Sequence, residues 1–115
     1  LEDTMVEAYL RLAFNYEAGD EIYVFGFSRG AFTARSFSGL INCSGIVSRR
    51  FADKTWSAFK LYRTRPKSTA SAHDRAVYAA SLRDFRLQFG KGRRAEDGTR
   101  QASDESPPIT YLGVF

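Results

Sequence analysis

The chain has little of what usually carries cross-links, metals or membrane spans. Cys43 is the only cysteine in 115 residues, so no internal disulfide can form and the redox compartment stays open. It falls among apolar neighbours late in a helical stretch, where a small buried thiol is expected. His73 is the only histidine. No run approaches the ~18 apolar residues of a membrane-spanning helix. No signal peptide is visible in these residues, and neither an internal repeat nor a Gly-x-x-x-x-Gly-Lys phosphate loop occurs. No groove-reading motif of a nucleic-acid binder occurs either, so no nucleic acid is expected as partner. No metal and no cofactor are expected. The chain opens Leu1-Glu2-Asp3 without an initiator methionine and stops in an apolar run at Phe115, so both ends read as cut. Targeting information is expected in further sequence. The compartment, cytoplasmic or reached by a signal-less route, and the oligomeric state are not set by these residues.

What is present suits a folded domain. Hydrophobic residues make up 43% and aromatic residues 15%, which argues against a wholly disordered chain. The net charge of +4 is mild but uneven. Arg49, Arg50, Lys54, Lys60, Arg63, Arg65 and Lys67 face only Asp53 in the same stretch. A solvated face is the ordinary reading, and contact with a membrane surface the functional one.

Taken in order, Asp3 is expected to cap a helix from Thr4 to Asn15, with Met5, Tyr9, Leu12 and Tyr16 on one apolar face. Gly19-Asp20 makes a turn. Ile22 to Phe27 is apolar at nearly every position and reads as a parallel strand buried on both faces. A helix from Arg29 to Ser44 follows, with Gly30, Ala34, Phe37 and Ile41 on one stripe and Gly45 as its stop. Residues 53–63 suggest another helix, and residues 71–89 a further one carrying Val77, Leu82, Phe85 and Phe89. Residues 1–48 thus form a helix, strand and helix, 49–90 a helical insertion, and 91–108 a mobile polar loop. Residues 109–115 form the next core strand. The fold class is α/β, a parallel sheet with a helical insertion, present as a partial domain.

The informative stretch is Gly26-Phe27-Ser28-Arg29-Gly30, set between a buried strand and a helix. Strand, Gly-x-Ser-x-Gly, helix is the context of a nucleophile elbow. A serine on so tight a turn is lifted above the sheet edge, and glycines two positions away on either side relieve the crowding. Ser28 is the candidate nucleophile, the backbone N–H of Arg29 a candidate oxyanion donor, and Gly26 and Gly30 the elbow glycines. Arg35, two turns on, reads as an ion-pair partner of a neighbouring element rather than a substrate ligand. His73 reads as an exposed helix-start residue; it could serve as a base only within ~3 Å of Ser28.

The run Gly19-Asp20-Glu21-Ile22-Tyr23-Val24-Phe25-Gly26-Phe27-Ser28-Arg29-Gly30-Ala31-Phe32-Thr33-Ala34-Arg35 resembles the α/β-hydrolase family that includes the catalytic domain of the type VI secretion phospholipase effectors. Tyr16 and the Tyr111-Leu112-Gly113-Val114-Phe115 run fit the same pattern. The resemblance implies a serine hydrolase of carboxylic esters, with phospholipids as substrates in characterised members. In that family the last strand leads into an aspartate and a histidine follows later, so Ser28 is the one triad member expected here. The chain alone is then expected to be inactive, and poorly soluble or molten. The competing reading is a non-catalytic relative that keeps the turn and uses its basic insertion to meet a membrane surface or partner.

Overall fold

A computed structural model describes residues 2–94 and 96–115. The first helix, α1, spans Glu2–Asn15. Asp3 lies inside its first turn rather than ahead of it, so it does not cap the helix. Met5, Tyr9 and Ala13 are buried along one face, and Tyr16 follows beyond the last turn. These positions recur every three to four residues, the spacing that puts side chains on one side of a helix.

Strand β1 covers Tyr23–Gly26 and leads into helix α2, Arg29–Ser44. Gly45 ends α2 with φ 69°, and its N–H reaches the Ile41 carbonyl at 2.8 Å. A 3-10 helix at Arg49–Lys54 then precedes α3, Thr55–Arg63. The long helix α4 spans Ala72–Phe89. Its start is set by Ser71, whose hydroxyl accepts the Asp74 N–H at 3.1 Å. The apolar face expected for it holds at Leu82 and Phe85, but Val77 is exposed.

The polar stretch 91–108 contains a small antiparallel pair, β2 at Arg93–Arg94 and β3 at Arg100–Gln101. Asp97 accepts both the N–H and the hydroxyl of Thr99, and Gly98 takes φ 86°. Arg100 pairs with Glu17, which ties the hairpin to the turn ahead of β1.

Strand β4, Tyr111–Val114, lies parallel to β1, with Tyr23 opposite Tyr111 and Gly26 opposite Val114. Ile22 and Thr110 open the pairing reciprocally: Ile22 N–H donates to Thr110 Oγ1, and Thr110 N–H to the Ile22 carbonyl. The architecture is a mixed one, mostly helix with a two-stranded parallel sheet.

The core forms in two parts. Tyr9, Leu40, Val47, Ala58, Phe59 and Phe85 pack α1, α2, α3 and α4 together. Tyr16, Ile22, Ile41 and Ile46 join the sheet edge to α2. Burying a side chain such as Phe59 contributes about 1.5–3 kcal/mol. Tyr9 fastens the first part, since its hydroxyl donates to the Gly45 carbonyl at 2.9 Å and accepts the Val47 N–H at 3.1 Å.

Two further sequence expectations are corrected by the burial of β1 and of Cys43. β1 is covered on one face only. Val24 and Gly26 turn toward α2, while Tyr23 and Phe25 stand exposed, Phe25 by 58%. Side chains alternate across a strand, and among the described residues helices pack on one side of this sheet. Cys43 also differs: it is half-buried rather than sealed in the core.

Candidate functional site

The carboxyl end of β1 carries the site. The chain must reverse from strand to helix within two residues, and Ser28 absorbs the turn with φ 52° and ψ −116°. It is the one non-glycine residue with positive φ among those described. A side chain in that region is strained and persists when its surroundings hold it. Here they do. The Ser28 N–H donates to the Phe115 carbonyl at 2.8 Å, and the Phe115 N–H donates to the Gly26 carbonyl at 2.9 Å. The parallel ladder therefore runs past β4 to the turn itself.

A serine ahead of a helix normally spends its hydroxyl capping the first N–H groups. The Ser28 hydroxyl makes no such bond and is exposed. Behind it, the Gly30 N–H goes to the Phe27 carbonyl at 2.8 Å and the Ala31 N–H to the Ser28 carbonyl at 3.0 Å. The Arg29 N–H has no acceptor among the described residues. It stands at the positive end of α2, where an anionic oxygen is stabilised. Geometrically, then, the site offers an unengaged hydroxyl beside an unengaged backbone donor.

The two elbow glycines differ. A Cβ on Gly26 would press into the Gly30 carbonyl and sit 2.8 Å from Ala34 Cβ, so glycine there lets α2 lie against β1. A Cβ on Gly30 would meet nothing within 4 Å. The expectation that both glycines relieve crowding holds for Gly26 and is corrected for Gly30.

Aromatic rings surround the turn. Phe27 and Phe115 stack at 5.0 Å, and Phe32 stands exposed one turn along α2. Sequence reasoning did not single out these rings, although alternation through Tyr23, Phe25 and Phe27 places them on one face. Arg35 is exposed and forms no ion pair among the described residues, contrary to the expected salt bridge. His73 lies in the first turn of α4, exposed, as expected for a helix-start residue. No cluster of three or more metal-ligating side chains occurs among the described residues, and no helix there is long and apolar enough to cross a membrane.

A family model described as "T6SS, Phospholipase effector Tle1-like, catalytic domain" matches residues 1–115. The chain belongs to this family. The uncharacterized protein YEL023C of Saccharomyces cerevisiae is 42% identical to it over 62 residues. That match covers 54% of this chain and 9% of the yeast protein, so the chain spans under a tenth of that relative's length. No solved structure matches it.

Proposed function

We propose that this Tle1-like chain supplies the nucleophile of a serine hydrolase that cleaves carboxylic esters, with phospholipid as the substrate class. The sheet would belong to a larger α/β-hydrolase sheet, of which β1 and β4 are neighbouring strands. The observation that carries the reading is the backbone of Ser28: a non-glycine residue held at φ 52° between a strand and a helix, with its hydroxyl unused. The family description and the long motif around Ser28 support it.

In this reading Ser28 Oγ attacks the ester carbonyl carbon, and its proton passes to a general base. The Arg29 N–H bonds the oxygen that becomes negative in the tetrahedral intermediate. The alcohol leaves with a proton, an acyl-serine remains, and water hydrolyses it. Among the described residues no imidazole or carboxylate bonds to Ser28. In this reading the base and its acid partner come from outside residues 1–115, and these residues alone turn over no ester appreciably. An unassisted serine hydroxyl is a weak nucleophile at neutral pH.

The test is labelling of the longer protein by a fluorophosphonate, which reacts covalently with activated serines. Labelling should be strong in the parent and lost in Ser28→Ala, with folding checked by circular dichroism. Undiminished labelling of the variant would remove Ser28 from the mechanism.

A further inference from the structure

Residues 49–67 carry seven cations against one acid, Asp53. Several guanidinium groups in this stretch are fastened to the chain itself. Arg49 donates to the Phe14 carbonyl at 2.6 Å, Arg50 lies 4.8 Å over the Phe51 ring, and Arg65 lies 3.8 Å over the Tyr62 ring. The lysines differ. Lys60 and Lys67 are exposed and make no ion pair among the described residues, and Lys54 is held only by the Phe89 ring, 5.3 Å away. Trp56, the one tryptophan of the chain, stands 55% exposed on α3, one turn ahead of Lys60.

Between α3 and α4 runs a groove of about 530 Å³. Leu61, Phe85 and Phe89 form its apolar floor, Lys54 and Lys60 line the α3 side, and Asp84 is its one acidic lining residue. The Tyr78 hydroxyl donates to the Leu61 carbonyl at 2.6 Å and ties the two helices together. An apolar trough rimmed by two ammonium groups that form no ion pair among the described residues, beside an exposed indole, suits an anionic headgroup joined to hydrocarbon. Indole rings favour the boundary between water and hydrocarbon, and lysines near an anionic leaflet are attracted to it.

We propose that the α3–α4 face binds an anionic lipid bilayer. Trp56 lies at headgroup level, Lys54 and Lys60 hold a lipid phosphate at the mouth of the groove, and its floor takes the adjoining hydrocarbon. Nucleic acid would use the same cations, but it has no need of the apolar floor. The site stands on surface chemistry alone and is separate from the hydrolase reading, so either can fail without the other.

The experiment is vesicle flotation of the longer protein, in which bound protein rises with the vesicles and aggregates sink, with Trp56 fluorescence read against a Trp56→Phe control. Phosphatidylcholine vesicles are compared with phosphatidylcholine mixed with phosphatidylserine. Partition should rise with the anionic lipid, fall with added salt, and shift Trp56 emission to shorter wavelength. The Lys60→Ala variant should bind about fivefold more weakly, and the Lys54→Ala, Lys60→Ala pair about thirtyfold, from roughly 1 kcal/mol per lysine near the surface. Lys60 is exposed, so its single variant keeps the test sound even where the pair unfolds. Arg100→Ala, in the hairpin, should bind as the parent does. Equal partition into neutral and anionic vesicles would assign adhesion to the bare aromatic face of the sheet and overturn the proposal. So would indifference to Lys60, or tight binding to a mixed-sequence RNA without binding to vesicles.

Discussion

Gly26 and Gly30 sit symmetrically about Ser28 in the sequence, but they face opposite conditions. Gly26→Ala must push α2 away from β1 and should destabilise the chain by about 1–3 kcal/mol, the usual cost of overpacking. Gly30→Ala adds a methyl into open space at a helical position, where alanine is favoured by roughly 0.5–1 kcal/mol. Urea melts of the two variants should therefore move in opposite directions. Tyr9 gives a second residue-level prediction. Burial pushes its hydroxyl well above the ordinary 10.0, against a smaller downward pull from the Val47 N–H. Burial also pushes Tyr78 up to about 12. A group that holds its proton more tightly folded than unfolded stabilises fully below the unfolded value and loses that contribution as pH rises. Stability should be flat through neutral pH and fall from about pH 10 upward. The slope should be shallower in Tyr9→Phe, which also lowers stability at neutral pH by about 1–3 kcal/mol through the unpaired Gly45 and Val47 groups.

Among the elements, α2 and α3 are joined by a bond that spacing alone does not reveal. The Ser44 hydroxyl donates to the buried Ala58 carbonyl at 2.8 Å, and Gly39 leaves room for Tyr62. Ser44→Ala should cost about 1–3 kcal/mol, and Ser71→Ala about 1 kcal/mol through the lost α4 cap; thermal melts would rank them. The helices were legible because each carries a local signal. The bounds of α2 match those expected, since a sharp turn precedes it and Gly45 follows. Register was legible only in outline. The 3-10 helix at Arg49–Lys54 has too few residues to show a period, and the sequence there reads simply as basic. The β2–β3 pair was missed although Asp97-Gly98 is a hairpin signal, because the flanking residues are polar and show no apolar alternation. The elbow was legible because its cause is local. The fate of Arg35 was not, because an ion pair depends on a partner from elsewhere in the fold.

At the scale of the whole molecule, the chain has one finished side and one bare side. Helices cover the α2 face of the sheet, while Tyr23, Phe25, Phe27, Tyr111 and Phe115 remain exposed on the other. Gly113 is buried beneath these rings: a Cβ there would come within 2.9 Å of Phe25 and 2.8 Å of Tyr111. So many neighbouring aromatic groups in water favour self-association. The chain should bind a hydrophobic dye and sediment as oligomers. Lysine in place of Phe25 and Phe27 should reduce both, with little change in helical signal. Monomeric behaviour of the parent with no dye binding would refute this.

The bonds between Phe115 and the Ser28 turn also set an order of events in time. Helices α2 and α3 assemble from near neighbours, whereas Ile22 and Thr110 are 88 residues apart. Distant pairings form late, because a long loop must close before any of them is rewarded. A nascent chain emerges from its N-terminal end, so Ser28 exists long before Phe115 does. Until Phe115 arrives, the Ser28 N–H lacks the acceptor that helps hold its left-handed conformation. The serine turn is thus synthesised early and completed late, once Phe115 is in place.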